Sequence, residues 1–414
     1  MTEKMNSVRG TKDLYPEEFI KHRFVTDIAE KVGKLYGFSE MAVPIIEFAG
    51  VFKKTLGEES DVVGKEMYVF SDRGDNELCL RPEFTASIVR SFINSNMQES
   101  LPLRLYTKGP LFRYERPQMG RQRQFHQINF EVIGAKEPFV DVELIALGNR
   151  IIQELGIADC INIEINSLGD EESRKSYRDN LIAYFNDYKE QLSEDSKLRL
   201  IKNPMRILDS KDENDKKIVA NAPIMDDYYS AESKDFFAKV QEGLNLLGIN
   251  YKINSKLVRG LDYYCHTVFE FTTNMLGAQN TVLAGGRYNG LVKLMGGPDT
   301  PAVGCAGGIE RLVGLLDAKS KEFRKESVVI LLPIGENAEK SCYNIANDLR
   351  NNNINTEIMI AGNVKKRMKK ADQRSADKVI IFGDEEILSG KVKIRNMQTG
   401  TEQEVKIVDI VSNI

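Results

Sequence analysis

Apolar positions recur at helical spacing over 16–36, where Pro16, Glu17 and Glu18 form a helix start with acids near the positive dipole end and Gly37 marks the stop. A short strand is predicted over 38–43, ahead of Pro44, which suits a sheet edge or an interface better than a sheet interior. The pattern is strand-like again over 78–81 and helical from the Pro82-Glu83-Phe84-Thr85 turn to about Asn94. Glu83 and Thr85 therefore sit where a strand hands over to a helix. From there a side chain can enter a pocket, hold an ammonium group, or cap the helix start.

Two strand-like segments, 111–116 and 124–133, flank a turn carrying Arg116, Pro117, Gly120, Arg121 and Arg123, which predicts a β-hairpin with a long basic loop. Period-2 alternation puts His126, Ile128, Phe130 and Val132 on one face of the second strand and Phe125, Gln127, Asn129 and Glu131 on the other. In the first strand it puts Arg113 and Glu115 together. A face of Arg, Glu, Gln and Glu beside an aromatic suits the floor of a ligand site; an exposed strand with ordinary charges is the plainer alternative.

Helical spacing over 140–155 and a strand over 161–165 follow. From 170 to about 233 the sequence turns charged, helical and poor in β-formers, which reads as a helical insertion with a solvated face. Strand patterns resume after Leu257-Val258-Arg259-Gly260-Leu261-Asp262-Tyr263-Tyr264, over 265–272 and from about 281 into Ala284-Gly285-Gly286-Arg287-Tyr288. The paired glycines there allow close approach by a ligand or another backbone. Val303-Gly304-Cys305-Ala306-Gly307-Gly308 is a small-residue strand entering a helix with Arg311 in its first turn, without the Gly-Lys-Ser/Thr ending of a P-loop. Beyond a charged linker, 318–327, a fresh pattern begins. It predicts strand 328–332, helix 337–351, strand 355–360, a basic helix at Lys365-Lys366-Arg367-Met368-Lys369-Lys370, strand 378–382 and a hairpin at Gln398-Thr399-Gly400. These form a separate small domain of mixed sheet and helices.

At 414 residues and 42% hydrophobic content the chain is long enough for two or three cored domains. A net charge of −4 confines any nucleic-acid surface to local clusters. Five scattered cysteines without CxxC spacing argue against a disulfide framework and a zinc site, and fit a reducing cytoplasm. The polar N-terminus lacks a signal core, and no apolar run approaches the roughly 18 residues of a membrane span. A soluble, cytoplasmic protein is expected.

Together these motifs resemble the bacterial histidyl-tRNA synthetase family, class II aminoacyl-tRNA synthetases, over essentially the whole length. The helix, strand and Pro44 resemble the class II dimer motif. Phe112-Arg113-x-Glu115, the loop and Arg123-x-Phe125 resemble the second motif, and Gly308-Ile309-Glu310-Arg311 the third. LVRGLDYY at 257–264 and AGGRY at 284–288 resemble the family's histidine-binding signatures. The resemblance implies an α+β catalytic domain on an antiparallel sheet over 1–325, a helical insertion at 170–233, and an α/β mixed-sheet anticodon-binding domain over 326–414. It implies activation of L-histidine with ATP to histidyl-adenylate and pyrophosphate, then transfer of histidine to the 3′ end of tRNA(His). The enzyme would be a homodimer, with Mg2+ on the pyrophosphate end of ATP and no metal-ligand set of its own.

Roles follow from the same resemblance. Arg113 would hold the α-phosphate together with the histidine carboxylate, and Arg259 would approach from the other side as an electrophilic catalyst. A planar guanidinium suits both, since it binds two oxygens and keeps its charge when partly dried. Arg121 and Arg311 would meet the outer phosphates, Phe125 and Arg311 would sandwich adenine, and Glu115 would lie near its amino group. Glu83, Thr85 and Gln127 would take the ammonium, with Arg259 bordering the same site, while Glu131 and Tyr264 would bond the two ring nitrogens. Tyr263 is counted with that pocket by its place in the signature, although alternation leaves it a core role. His266, on the Tyr264 side by the same rule, is open between substrate and structure. Arg116, Gln118 and Arg123, with Arg121, would face the tRNA acceptor end. Cys265-His266 and Cys305 depart from the family's usual residues without removing one assigned to chemistry. The rival is a catalytically silent paralogue, the regulatory subunit of ATP phosphoribosyltransferase. It typically lacks both the C-terminal domain and the LVRGLDYY type of signature. A non-enzymatic RNA-binding protein would leave Arg113, Arg259 and Arg311 without a purpose.

Overall fold

The computed structural model describes residues 5–57, 60, 62–118, 120–210, 212–259, 263–277, 280–321, 323 and 327–414. Gly260, Leu261 and Asp262 of the first signature lie outside the described residues, as does the expected domain boundary at 325/326. The chain divides into two compact units, Met1–Lys321 and Glu322–Ile414.

In the first unit eight strands form one sheet. They are β1 (Ser39–Glu40), β2 (Leu103–Phe112), β3 (Gln124–Ile133), β4 (Asn162–Ser167), β5 (Lys252–Ile253), β6 (Cys265–Thr272), β7 (Thr281–Arg287) and β8 (Ala302–Gly308), in the spatial order β1-β2-β3-β8-β7-β6-β4-β5. All neighbours are antiparallel except the two outermost pairs. β8 packs closely between β3 and β7 because glycines at both contacts carry no Cβ. A Cβ on Gly304 would lie 1.7 Å from Glu131 Oε2, and one on Gly285 of β7 2.2 Å from Gly304 O.

The apolar face of β3 is core, as alternation predicts. Phe130 stacks on Tyr106 at 4.8 Å, meets Phe38 edge-on at 5.2 Å, and presses against Gly33 of helix α1 (Pro16–Leu35). Helix α2 (Thr85–Ile93) buries Ile88, Val89 and Phe92 with Leu111, Tyr288 and Leu291. Helix α3 (Pro138–Leu155) ends on Gly156 in the left-handed conformation, and α4 (Ile309–Ala318) follows β8 directly. The insertion is helical, with Asp170, Ser193 and Asp212 capping helices Glu171–Asp187, Glu194–Lys202 and Glu213–Val219 through side-chain oxygens. Its core, including Tyr177, Leu181, Phe185 and Ile207, is continuous with Leu257, Tyr264 and Val268.

Several expected boundaries move. The first hairpin strand runs over Leu103–Phe112, not 111–116. After Phe112 the ladder fails because other partners take its groups: Tyr114 N donates to Glu66 O at 2.6 Å and Arg123 N to Gly10 O at 2.8 Å. Arg113 and Glu115 therefore stand on a loop. The strand expected over 38–43 is two residues long, since only Ser39 and Glu40 pair with β2. The helix expected to Tyr36 ends at Leu35.

In the second unit β9 (Val329–Ile334), β10 (Thr356–Ile358), β11 (Lys378–Gly383), β12 (Lys391–Asn396) and β13 (Glu402–Lys406) form a mixed sheet in the order β10-β9-β11-β12-β13, parallel up to β11 and antiparallel beyond. Alternate residues feed separate cores on its two faces, Leu331 and Ile380 on one, Ile330, Leu332 and Val379 on the other. The strand expected over 355–360 is confined to Thr356–Ile358. In the basic helix Val364–Gln373, Arg367 is buried and donates to Pro333 O at 2.6 Å and Met359 O at 3.0 Å, so this charge serves the fold. Among the described residues no helix is long and apolar enough to cross a membrane.

Candidate active site

A cavity of about 420 Å3 opens over β3, β7 and β8. Its floor is Phe125, Gln127 and Asn129 with Ala284 and Ala306, where small residues on β7 and β8 leave room above the sheet. Helix α2 contributes its start, Glu83, Phe84 and Thr85, and the hairpin loop contributes Arg113, Glu115 and Arg121. Arg259, Tyr263 and Tyr264 close another side, with Glu310 and Arg311 from the start of α4.

The arginines are held before any ligand arrives. Arg113 Nε donates to Pro82 O at 3.0 Å, and its guanidinium carbon lies 5.4 Å from the Phe125 ring centre. Arg121 forms an ion pair with Glu115, and Arg259 with Glu270. Arg311 donates to Thr281 O at 2.6 Å and Gly120 O at 3.2 Å. Burial and the neighbouring Arg121 pull Arg311 below the usual arginine pKa. For Arg259, burial pulls the same way but the Glu270 carboxylate leaves it raised. These cations line one cavity and would be stabilised by an anion carrying several oxygens.

Two buried carboxylates stand elsewhere in the site. Glu83, 5% exposed, accepts from Thr85 N at 2.6 Å and Ala86 N at 2.8 Å, so it caps α2; burial nevertheless raises its pKa. Glu131, 1% exposed and just beneath the cavity floor, accepts from Thr85 Oγ1 at 2.5 Å, from Asn129 Nδ2 at 3.0 Å and from the Tyr288 hydroxyl. Burial pushes its pKa up to about 7 against these donors, and the charge of Glu83 adds to the rise. A carboxylate has about four acceptor positions, so Glu131 keeps one for a ligand N–H. Two carboxylates buried together favour a positively charged or N–H-rich guest. The tyrosine signature packs beside them, with Tyr263 4.7 Å from Tyr264 and 5.6 Å from Tyr288, ring centre to ring centre.

Comparisons with known proteins bear on this arrangement. A family profile described as Histidyl-tRNA synthetase matches residues 10–169, and one described as Anticodon binding domain matches 328–414. Histidine--tRNA ligase of Wolbachia pipientis wMel is 52% identical over 99% of both chains, and that of Rickettsia bellii (strain RML369-C) 48% identical over 100% of this chain and 99% of its own. The chain belongs to the histidyl-tRNA synthetase family. The crystal structure of apo S. aureus histidyl-tRNA synthetase, 34% identical, covers 99% of both chains with a TM-score of 0.84. The antiparallel-rich sheet and the mixed-sheet second unit are thus those of a class II synthetase. The silent-paralogue reading is not favoured, because relatives at about this identity over the full chain are ligases.

Against the synthetase expectation, the cavity brings together Glu83, Thr85, Arg113, Glu115, Arg121 and Phe125, and with them Gln127, Arg259, Tyr263, Tyr264 and Arg311. Tyr263 lines the cavity with Tyr264 because β6 begins only at Cys265, so alternation does not apply to the pair. His266 is not in the cavity wall. The register slips between Gly286 and Arg287, His266 has φ +45°, and its ring lies 4.6 Å from Phe236, so the bulge turns it to structure. Arg116 and Gln118 are exposed on the loop. Arg123 is half-buried, with its guanidinium 3.7 Å over Tyr114 and Nε donating to Glu115 O at 3.3 Å, which braces the loop. His126 donates its backbone N–H to Glu310 at 3.0 Å and places Nδ1 2.8 Å from the same carboxylate, tying β3 to α4. Sequence reasoning gave no role to Tyr288 or Arg287. The fully buried Arg287 pairs with Asp141 and donates to Ala135 O at 2.9 Å, so the end of β7 is fixed where Tyr288 reaches Glu131. The AGGRY stretch was the available signal.

Proposed function

We infer that the protein is a histidine--tRNA ligase that activates L-histidine with ATP to histidyl-adenylate and pyrophosphate, then transfers histidine to the 3′ end of tRNA(His). The observation that carries this reading is that one cavity is lined by anion-directed arginines and by Glu83, with the buried Glu131 hydrogen-bonded to Thr85 of the same lining. As the carboxylate of histidine attacks the α-phosphorus, negative charge grows on phosphoryl oxygens and leaves with pyrophosphate. Arg113 and Arg259 stabilise it from fixed positions. Arg121 and Arg311 take the outer phosphates, Phe125 and Arg311 enclose adenine, and Glu115 meets its amino group. Glu83, Thr85 and Gln127 take the ammonium, and Glu131 and Tyr264 bond the ring nitrogens. Amino acids without those nitrogens leave buried polar groups unpaired, a penalty of about 10⁴-fold or more.

Glu310, which lines the cavity at the start of α4 and keeps acceptor capacity beyond its bonds to His126, fits a Mg2+ carried mainly by phosphate oxygens and water. Such an ion supplies neutralisation of the pyrophosphate charge. Arg116, Gln118 and Arg123 lie toward the tRNA acceptor end; residues 326–414 form the anticodon-binding domain, and residues 1–325 the catalytic domain with its insertion at 170–233. The protein works as a cytoplasmic homodimer. Pyrophosphate exchange with ATP, Mg2+ and each of the twenty amino acids tests the central step. Exchange with histidine alone is expected; no exchange from folded protein would overturn the reading in favour of the silent paralogue.

A further inference from the structure

The helical insertion itself reaches the cavity. Its 3-10 segment Pro204–Asp209 opens with a proline that presets the first turn, and buries Met205, Ile207 and Leu208 in the insertion core. With about three residues per turn, this leaves Arg206 on a different side of the segment. Arg206 borders the active cavity together with Arg259, Tyr264 and Glu270. It also borders, with Arg174, Arg259 and Tyr264, an adjoining recess of about 20 Å3, room for roughly one water. The backbone under it is fixed, with Arg206 N donating to Asn203 O at 3.1 Å and Arg206 O accepting from Arg199 Nη1 at 3.3 Å. Among the described residues of 170–233 it alone lines the active cavity.

Arg206 brings a further guanidinium to the border of this cavity. Arg113, Arg121, Arg259 and Arg311 also line it, with Glu115 paired to Arg121 and Glu270 to Arg259. Like charges at such a site repel, and a bound polyanion reverses the sign of that contribution. The insertion is also not free to carry Arg206 elsewhere, because its core is continuous with Tyr264 of the amino-acid pocket.

We propose that Arg206 is an active-site residue of amino-acid activation, meeting the junction between the substrate carboxylate and the α-phosphate from the insertion side, next to Arg259. The step is the one described above: the carboxylate oxygen bonds to the α-phosphorus, the bond to the bridging oxygen of pyrophosphate breaks, and its electron pair leaves with pyrophosphate. Arg206 adds a fixed cation to the oxygens that gain charge. The proposal rests on the activation reading and makes the insertion a part of the catalytic site.

The test compares Arg206→Met and Arg206→Lys with wild type in the full chain, by histidine-dependent pyrophosphate exchange, calorimetric histidine binding, tRNA charging and thermal melting. For Arg206→Met, exchange turnover should fall about 10- to 100-fold while histidine affinity changes by less than about 3-fold. Arg206→Lys should recover part of the loss, and both should melt close to wild type. Wild-type exchange by Arg206→Met would overturn the proposal, as would a loss confined to tRNA charging, which would place the residue at the acceptor end. A lowered melting point in both variants, with equal losses of binding and turnover and no recovery by lysine, would make Arg206 structural. Absence of exchange in wild type would instead overturn the activation reading, and the proposal with it.

Discussion

Glu131 carries a cost in the free protein that its partners do not cancel. The carboxyl is raised from its ordinary 4.5 to about 7, chiefly by burial, even though Thr85, Asn129 and Tyr288 all donate to it. A folded pKa above the unfolded one means that the native state holds the proton more tightly. The stabilising contribution is therefore full below about pH 4.5 and is lost as pH rises through about 7, an effect of roughly 3 kcal/mol for such a gap. Comparing urea midpoints of wild type and Glu131→Gln between pH 5 and 8 should show wild type losing ground as pH rises. Parallel curves would mean that the carboxyl is already ionised throughout. Arg259 works on the other part of the site, where its pairing with Glu270 fixes it before substrate binds. Arg259→Ala should lower exchange turnover by about 10²-fold or more while histidine affinity falls far less. Equal losses in both, measured by exchange and calorimetry, would give Arg259 a ground-state role instead.

At the scale of elements, β8 decides whether the Glu131 side chain has room. A Cβ at Gly304 would lie 1.7 Å from its Oε2 and 2.4 Å from its Cδ, so Gly304→Ala must displace the carboxylate from Thr85 and Tyr288. The expected result is a rise of about 10-fold or more in the histidine KM with the ATP KM little changed; an unaltered histidine KM would show that strand β8 can shift to accommodate the methyl. Most elements were legible in the sequence where apolar period and local chemistry agree, as in α1 with its starting proline and in β3, whose alternation separates the Phe130 core face from the Gln127 and Asn129 floor. The end of β2 was not, because it depends on Glu66 and Gly10 capturing backbone groups that a hairpin would otherwise pair. His266 stayed open between substrate and structure for a related reason. A register slip and a left-handed φ break the alternation that puts it beside Tyr264, and neither has a signature in a stretch without glycine or proline. The candidate site was legible through its motifs, whereas the Tyr288–Glu131 bond and the reach of Arg206 join segments far apart in the chain.

The whole molecule separates the two chemistries it is proposed to combine. The residues bordering the active cavity all belong to the unit Met1–Lys321, while the unit Glu322–Ile414 has hydrophobic cores of its own on both faces of its sheet. The region matched as an anticodon-binding domain begins at residue 328, inside that second unit. Amino-acid activation needs only histidine and ATP, so removing residues 327–414 should leave histidine-dependent exchange within a few-fold of wild type. Charging of tRNA(His) has a different requirement, because phosphate contacts supply much of the affinity for a polyanion and a few base contacts supply the choice. Loss of the second unit should therefore lower charging efficiency by about 10²-fold or more, mainly through the tRNA KM, and should flatten its dependence on salt. Both rates can be read on one preparation, which makes exchange the control for folding. Full charging by the shortened chain would place tRNA selection on the first unit, with Arg116 and Gln118 of the hairpin loop as the exposed groups to examine.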